Sequence, residues 1–207
     1  MVTKAKKALL ASLAAFLCVM LTVFGLSMSV SLSETAKAAD ETSAVAQVGT
    51  TTYGTLNGAI GAAADGNTVT LLKDTTEDVV VDKDITLDLN GFTLNGGTGT
   101  AKAAITNYGT LTIKDSSAAQ TGTIKREDNG TVGETSYYVI RNLGTMTIEQ
   151  ANVVNNSGYR ETNPSGSMIG SSLICNGDND EGATLTIKGG KLTQTNFIAI
   201  KNGANGT

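Results

Sequence analysis

Few residues in this chain of 207 have the chemistry for a reaction or a tightly held ligand. The densest acidic group is Asp178-Asn179-Asp180-Glu181. Its oxygens can coordinate a hard cation, so Asp178, Asp180 and Glu181 are the candidate Ca²⁺ ligands. The run matches neither the spaced EF-hand loop nor the glycine-aspartate nonapeptide repeat, and a solvated turn is the simpler reading. Arg141 and Lys201 can meet a sugar acid, although one basic residue per repeat is also ordinary surface. Cys175 sits at an outward position and is expected to be exposed. A lone thiol with no histidine or second cysteine beside it is more often inert than catalytic. Tyr137, Tyr138 and Tyr159 can stack on sugars, but the chain has no Trp to complete a carbohydrate platform.

Composition closes other routes. Without histidine there is no Ser-His-Asp or Cys-His nucleophile, no His-ligated zinc and no imidazole acid–base. A net charge of −4 gives no general attraction for nucleic acid. The 24 glycines follow no Gly-X-Y period and come with a single proline, which excludes collagen.

The elements that must position these residues begin after residue 38. Lys4, Lys6 and Lys7 precede an apolar run from Ala8 to about Leu32, and Ala36-Lys37-Ala38 is a small-x-small cleavage pattern. Residues 1–38 therefore read as a secretory signal peptide, cut after Ala38. The run is also long enough to be a retained membrane anchor, the one membrane contact the sequence suggests. The segment holds four Lys and one Glu, so 11 basic and 18 acidic residues, net −7, remain after it. Cys175 is then the one remaining cysteine, and no intrachain disulfide can form.

The rest of the chain repeats. Asn107-Tyr-Gly-Thr-Leu-Thr-Ile-Lys114 returns as Asn142-Leu-Gly-Thr-Met-Thr-Ile-Glu149 and again as Ala183-Thr-Leu-Thr-Ile-Lys188. A looser first copy is Ile85-Thr-Leu-Asp-Leu-Asn90, read with Leu89 equivalent to Ile113 and Asp88 at the outward threonine position. Alternation of apolar residues and threonines at period two marks strands with one buried face. A second strand follows in each unit at 92–95, 123–125, 152–155 and 191–194. A third carries Ile105-x-Asn107, Ile140-x-Asn142, Ile174-x-Asn176 and Ile200-x-Asn202. The four isoleucines are expected to stack inward. The four asparagines are expected to form an amide ladder at the roughly 4.8 Å strand spacing. Gly109, Gly144, Gly177 and Gly203 follow and are expected to take positive φ at tight corners. Asn-Gly pairs also mark hairpins, but four parallel Ile-x-Asn corners favour a stack. The predicted fold is an all-β, right-handed parallel β-helix with three strands per coil.

Ahead of the repeats, Leu56, Ile60 and Ala63 fall on one helical face, with Thr55 as N-cap and Gly66 as C′ residue. A short helix here would cap an open solenoid end. Residues 39–83 thus form an N-terminal cap with the first strands, and 84–207 form the coils.

The run Tyr53-Gly-Thr-Leu56, Ala59-Ile60, Ala64 to Asp74 and Ile85 to Gly91 resembles the N-terminal cap of pectate-lyase-like, right-handed β-helix surface proteins. Such proteins, often termed adhesin-like, are common in Gram-positive and gut bacteria. The resemblance covers roughly residues 46–207. It implies the fold more strongly than any activity, because this superfold hosts lyases, hydrolases and non-catalytic modules. Enzymatic relatives use clustered acids, with calcium and a basic residue in lyases or paired Asp in hydrolases. Here the outward positions carry Thr112, Thr147 and Thr186, and that carry-over fails. Insertions concentrate at 126–136 and 158–171, where binding loops are placed and where indels are tolerated.

The sequence stops at Ala204-Asn-Gly-Thr207, where another Thr-Leu-Thr-Ile strand is due, which suggests a fragment of a longer surface protein. The functional expectation is a secreted or cell-surface structural and adhesive scaffold without catalysis or cofactor. Its expected partners are carbohydrate or a host or cell-surface protein, not nucleic acid. The alternative is a fragment of a polysaccharide lyase or glycoside hydrolase.

Overall fold

Alternating Thr and aliphatic residues form strands because branched side chains pack well on a pleated, half-buried surface. In the computed structural model this pattern builds one strand type five times: Asn67–Leu71 (β3), Asp84–Asp88 (β6), Thr110–Lys114 (β9), Thr145–Ile148 (β12) and Thr184–Ile187 (β17). The structure describes residues 43–96, 102–126, 138–155, 161–162, 168–169, 172–178, 182–194, 198–203 and 205–207. Residues 1–42, most of both insertions, Tyr137 and Tyr159 lie outside these residues.

Two further strand types complete each coil. The second comprises Thr75–Thr76 (β4), Thr93–Gly96 (β7), Thr123–Arg126 (β10), Asn152–Asn155 (β13) and Lys191–Gln194 (β18). The third comprises Val79–Val81 (β5), Ile105–Asn107 (β8), Tyr138–Asn142 (β11), Ser172–Asn176 (β16) and Ile200–Asn202 (β19). Each type forms its own parallel sheet, so the chain winds as a right-handed parallel β-helix, all-β apart from one helix. A small antiparallel hairpin, Glu161–Thr162 (β14) with Met168–Ile169 (β15), falls between β13 and β16.

The core is a set of aliphatic columns. Leu87, Ile113 and Ile148 align in the first sheet, Leu94, Ile124 and Val153 in the second, and Ile105, Ile140 and Ile174 in the third. All nine are fully buried. Burying one such side chain stabilises by about 1.5–3 kcal/mol, and here the cover comes from neighbouring coils and from the facing sheets.

Three expectations need correction. The first copy of the repeat is shifted by two residues: Leu87, not Leu89, lies opposite Ile113, and Thr86 lies opposite Thr112. A two-residue slip keeps every side chain on its own face, so alternation alone does not detect it. The outward threonine column therefore runs Thr68, Thr86, Thr112, Thr147, Thr186. Asp88 instead faces Lys114. The corner glycines are the second correction. Gly177 takes φ +69, but Gly109, Gly144 and Gly203 keep ordinary φ. They are glycine because of close approach: a Cβ at Gly109 would strike the Lys83 carbonyl, and one at Gly144 would strike that of Gly109. The third concerns the helix end, described next.

The N-terminal end of the stack is closed. Ala46–Val48 (β1) pairs antiparallel with β3 and with Thr51–Tyr53 (β2). The helix Leu56–Ala62 (α1) buries Leu56, Ala59 and Ile60 against this end. Thr55 is its N-cap, accepting from the Gly58 N–H at 3.0 Å. Its C-cap is Ala63 in extended conformation, not a glycine; Gly66, with φ +80, turns the chain into β3 afterwards.

So short a helix is not stable alone. Two charged residues of the first coil hold it at both ends. The Glu77 carboxylate accepts from the N–H groups of Leu56 at 2.8 Å and Asn57 at 3.0 Å. The Lys83 ammonium donates to the carbonyls of Gly61 at 2.7 Å and Ala63 at 2.8 Å. Anion at the N-terminus and cation at the C-terminus both match the helix dipole. Burial pushes the Glu77 carboxyl up, but hydrogen bonds from Asn57, Leu56 and Thr75 outweigh it and hold it below its ordinary value.

Candidate functional site

Two places combine polar residues from several coils. One is structural. In the third sheet Asn107, Asn142, Asn176 and Asn202 are in register. Asn107 Nδ2 donates to Asn142 Oδ1 at 2.8 Å, Asn142 Nδ2 to Asn176 Oδ1 at 2.7 Å, and Asn176 Nδ2 to Asn202 Oδ1 at 2.8 Å. The same amides reach main chain: Asn107 Nδ2 donates to Gly109 O and Thr145 O, and Asn107 Oδ1 accepts from the Gly109 N–H. A ladder of this kind satisfies the corner where strand hydrogen bonding stops.

A second structural acid was not anticipated. The buried Asp115 carboxylate accepts from the N–H groups of Gly91 at 2.8 Å and Ser117 at 3.0 Å, and also from Gly122. Burial raises its carboxyl, but hydrogen bonds from Ser117, Gly122 and Gly91 win and hold it below the ordinary aspartate value. Asp88 has a similar role in the preceding coil, accepting from Asn90 and Ser116, with Lys114 Nζ at 3.6 Å. These carboxylates are committed to backbone at a corner.

The other place is a groove of about 260 Å³ on the outward face of the third sheet, lined by Tyr138, Arg141, Cys175, Gly177, Asp178, Lys201 and Gly203. Its floor is the outward column of β11, β16 and β19, in which Arg141 pairs with Cys175 and Cys175 with Lys201. Three of the residues singled out from sequence therefore occupy successive rungs. Asp178 joins them: Arg141 Nη2 donates to Asp178 Oδ2 at 2.8 Å.

Cys175 is buried, not exposed, at 4% of its free surface. Its register is outward as expected, but its short side chain lies at the bottom of the groove between two longer cationic ones. Its thiol donates to the Gly177 carbonyl at 3.3 Å. Lys201 is exposed beside it.

Of the three candidate Ca²⁺ ligands, Asp178 alone lies among the described residues. Asp178 already faces the Arg141 guanidinium, which competes with any cation. Asp180 and Glu181 lie outside the described residues. Among the described residues no cluster of three Asp, Glu, His or Cys side chains is placed to hold a metal.

Chemically, the described lining offers two cations, one carboxylate, a phenol and a sheltered thiol. That set can hold an anionic group and hydrogen-bond hydroxyls. Hydrolysis of a glycosidic bond needs two carboxylates across the scissile bond, and this lining has one. Family models, curated proteins and solved structures were all compared with this chain, and none matched. Its reading rests on its own residues.

Proposed function

We propose that this chain is a secreted or cell-surface β-helix module, a structural and adhesive scaffold of the pectate-lyase-like, adhesin-like kind, without catalysis of its own. Its groove binds acidic glycans. The observation that supports this reading most is the column Arg141, Cys175, Lys201 on a ladder of parallel strands, with Tyr138 and Asp178 at its edge. Positions on paired strands are held more firmly than positions on loops, so the two cations keep a fixed spacing. Arg141 is oriented by Asp178, and Lys201 supplies charge from the far side of Cys175. Tyr138 offers an aromatic face for a sugar ring. The leader-like segment 1–38 and the acidic remainder fit export.

Titration of residues 39–207 with oligogalacturonate, against the neutral oligogalactose, tests the reading. Saturable binding to the acidic sugar, weakened about tenfold by Lys201→Ala and further by Arg141→Ala, is the expected outcome. Equal binding to both sugars, or no binding, would remove the groove from the account. Turnover of the uronate would replace the scaffold reading with a lyase or hydrolase.

A further inference from the structure

The groove carries one carboxylate beside its two cations, and the backbone fixes where that carboxylate stands. Asp178 follows the ladder residue Asn176, the last of β16, and Gly177, whose φ of +69 favours glycine. The Gly177 N–H donates to the Asn142 carbonyl at 2.8 Å, and the Gly203 N–H donates to the Asn176 carbonyl at 2.9 Å. A Cβ at Gly203 would lie 2.8 Å from Asp178 Cα and 2.6 Å from the Gly177 carbonyl oxygen, so the corner of the next coil packs against this turn. Turn, ladder and close packing together set the position of Asp178.

Its side chain stays reachable from solvent. Asp178 Oδ2 accepts from Arg141 Nη2 at 2.8 Å, while the two side chains keep 29% and 28% of their free surface. A carboxylate accepts several hydrogen bonds and a guanidinium donates several, so this one contact uses only part of their capacity. The pair presents acceptor and donor atoms side by side. That suits two neighbouring hydroxyls, one donating to Asp178 and the other accepting from Arg141.

Charge divides the groove into two ends. Lys201 stands two rungs from Arg141 on the same column, about 10 Å away at the usual strand spacing. It is exposed, and none of the ion pairs among the described residues involves it. At the other end the Arg141 charge is already met by Asp178. The described lining therefore suits one ligand anion at Lys201 and disfavours a second anion beside the Asp178 carboxylate.

Resting on the acidic-glycan reading of this groove, we infer that Asp178 determines which acidic glycan it takes: a uronan with free neighbouring hydroxyls, and not its sulfated counterpart. The ligand's carboxylate lies at Lys201 and a hydroxyl pair of the same oligomer lies at Asp178 and Arg141. A sulfate ester on that pair removes the proton Asp178 accepts and sets a second anion against its carboxylate, a built-in repulsion against the wrong ligand. Binding of the full chain to oligogalacturonate and to the same oligomer O-sulfated tests this, with Asp178→Asn and Asp178→Glu beside it. The native chain is expected to favour the unsulfated oligomer about tenfold or more. Asp178→Asn keeps an acceptor oxygen and loses the charge, and is expected to bring that ratio to about one or below by tightening the sulfated ligand. Asp178→Glu keeps the charge and is expected to keep the preference. Slow amide exchange retained in β11 and β16 reports that both variants keep their fold. Equal binding of the two oligomers by the native chain, an unchanged ratio in Asp178→Asn, or a lost preference in Asp178→Glu would each overturn the inference and leave the groove a uronate site. Binding of neither oligomer by the native chain would overturn the reading beneath it as well.

Discussion

The two ends of this solenoid carry the same kinds of residue in the same registers and treat them differently. At the first coil Val69, Leu71, Val79 and Val81 are buried beneath α1, β1 and the next coil. At the last coil Ile187 and Ile200 hold equivalent inward positions and remain about two-fifths exposed. An inward register therefore does not bury a side chain. A neighbouring level does, and stability here is a sum of coil-to-coil interfaces.

The largest effect that probes this difference comes from cavity formation. Ile140→Ala, in the middle of the third-sheet column, is expected to cost about 2–5 kcal/mol in chemical denaturation. Ile200→Ala, the same change at the end of that column, is expected to cost about 1 kcal/mol or less, since little burial is lost. Equal costs would break the comparison.

The asparagine ladder gives the next contrast. Asn142 donates to and accepts from neighbours on both sides, whereas the Asn202 amide donates to Gly206. Asn142→Ala removes one acceptor of Asn107 Nδ2 and the donor to buried Asn176 Oδ1, and is expected to cost about 1–3 kcal/mol. Asn202→Ala is expected to cost less than half of that, measured the same way.

Acid separates the ends further. Glu77 and Asp115 have carboxyl values held below the ordinary 4.5 and 3.8. A depressed folded value means stabilisation that is complete above the ordinary value and lost as pH falls through the depressed one. Protection of the amides in α1 and β1, relative to their intrinsic exchange rates, is therefore expected to fall below about pH 4.5, ahead of protection in β12. Glu77→Gln should remove that acid sensitivity of the cap and cost about 1–2 kcal/mol at neutral pH. A cap equally protected at pH 3 and pH 7 would show that Glu77 does not hold it.

The smallest effect is at the surface. Lys188→Ala breaks a solvated pair with Glu149 and is expected to change stability by about 0–1 kcal/mol, vanishing in high salt.

How much of this could be read from the sequence follows from the physics of each feature. The coils were legible because alternation and the Ile-x-Asn corners are local and repeated. The start of the first copy was not, since Thr86 and Asp88 both face outward and either alignment preserves the pattern. The helix clamp was hidden because Glu77 and Lys83 meet α1 from about 20 residues away, with no motif to announce them. In the candidate groove, Arg141, Cys175 and Lys201 were recognisable as one outward column. The depth of Cys175 was not, because burial there depends on the lengths of its neighbours rather than on strand parity. Close approach and positive φ both select glycine, so the reason for Gly109 and Gly144 needed the backbone itself.

Residue-resolved native-state amide exchange on residues 39–207 tests the coil-to-coil account most directly. It predicts the slowest exchange around Ile113 and Ile148 in β9 and β12, falling in steps toward Ile187 in β17 and Ile200 in β19. Exchange as slow at Ile187 and Ile200 as at Ile113 and Ile148 would contradict it.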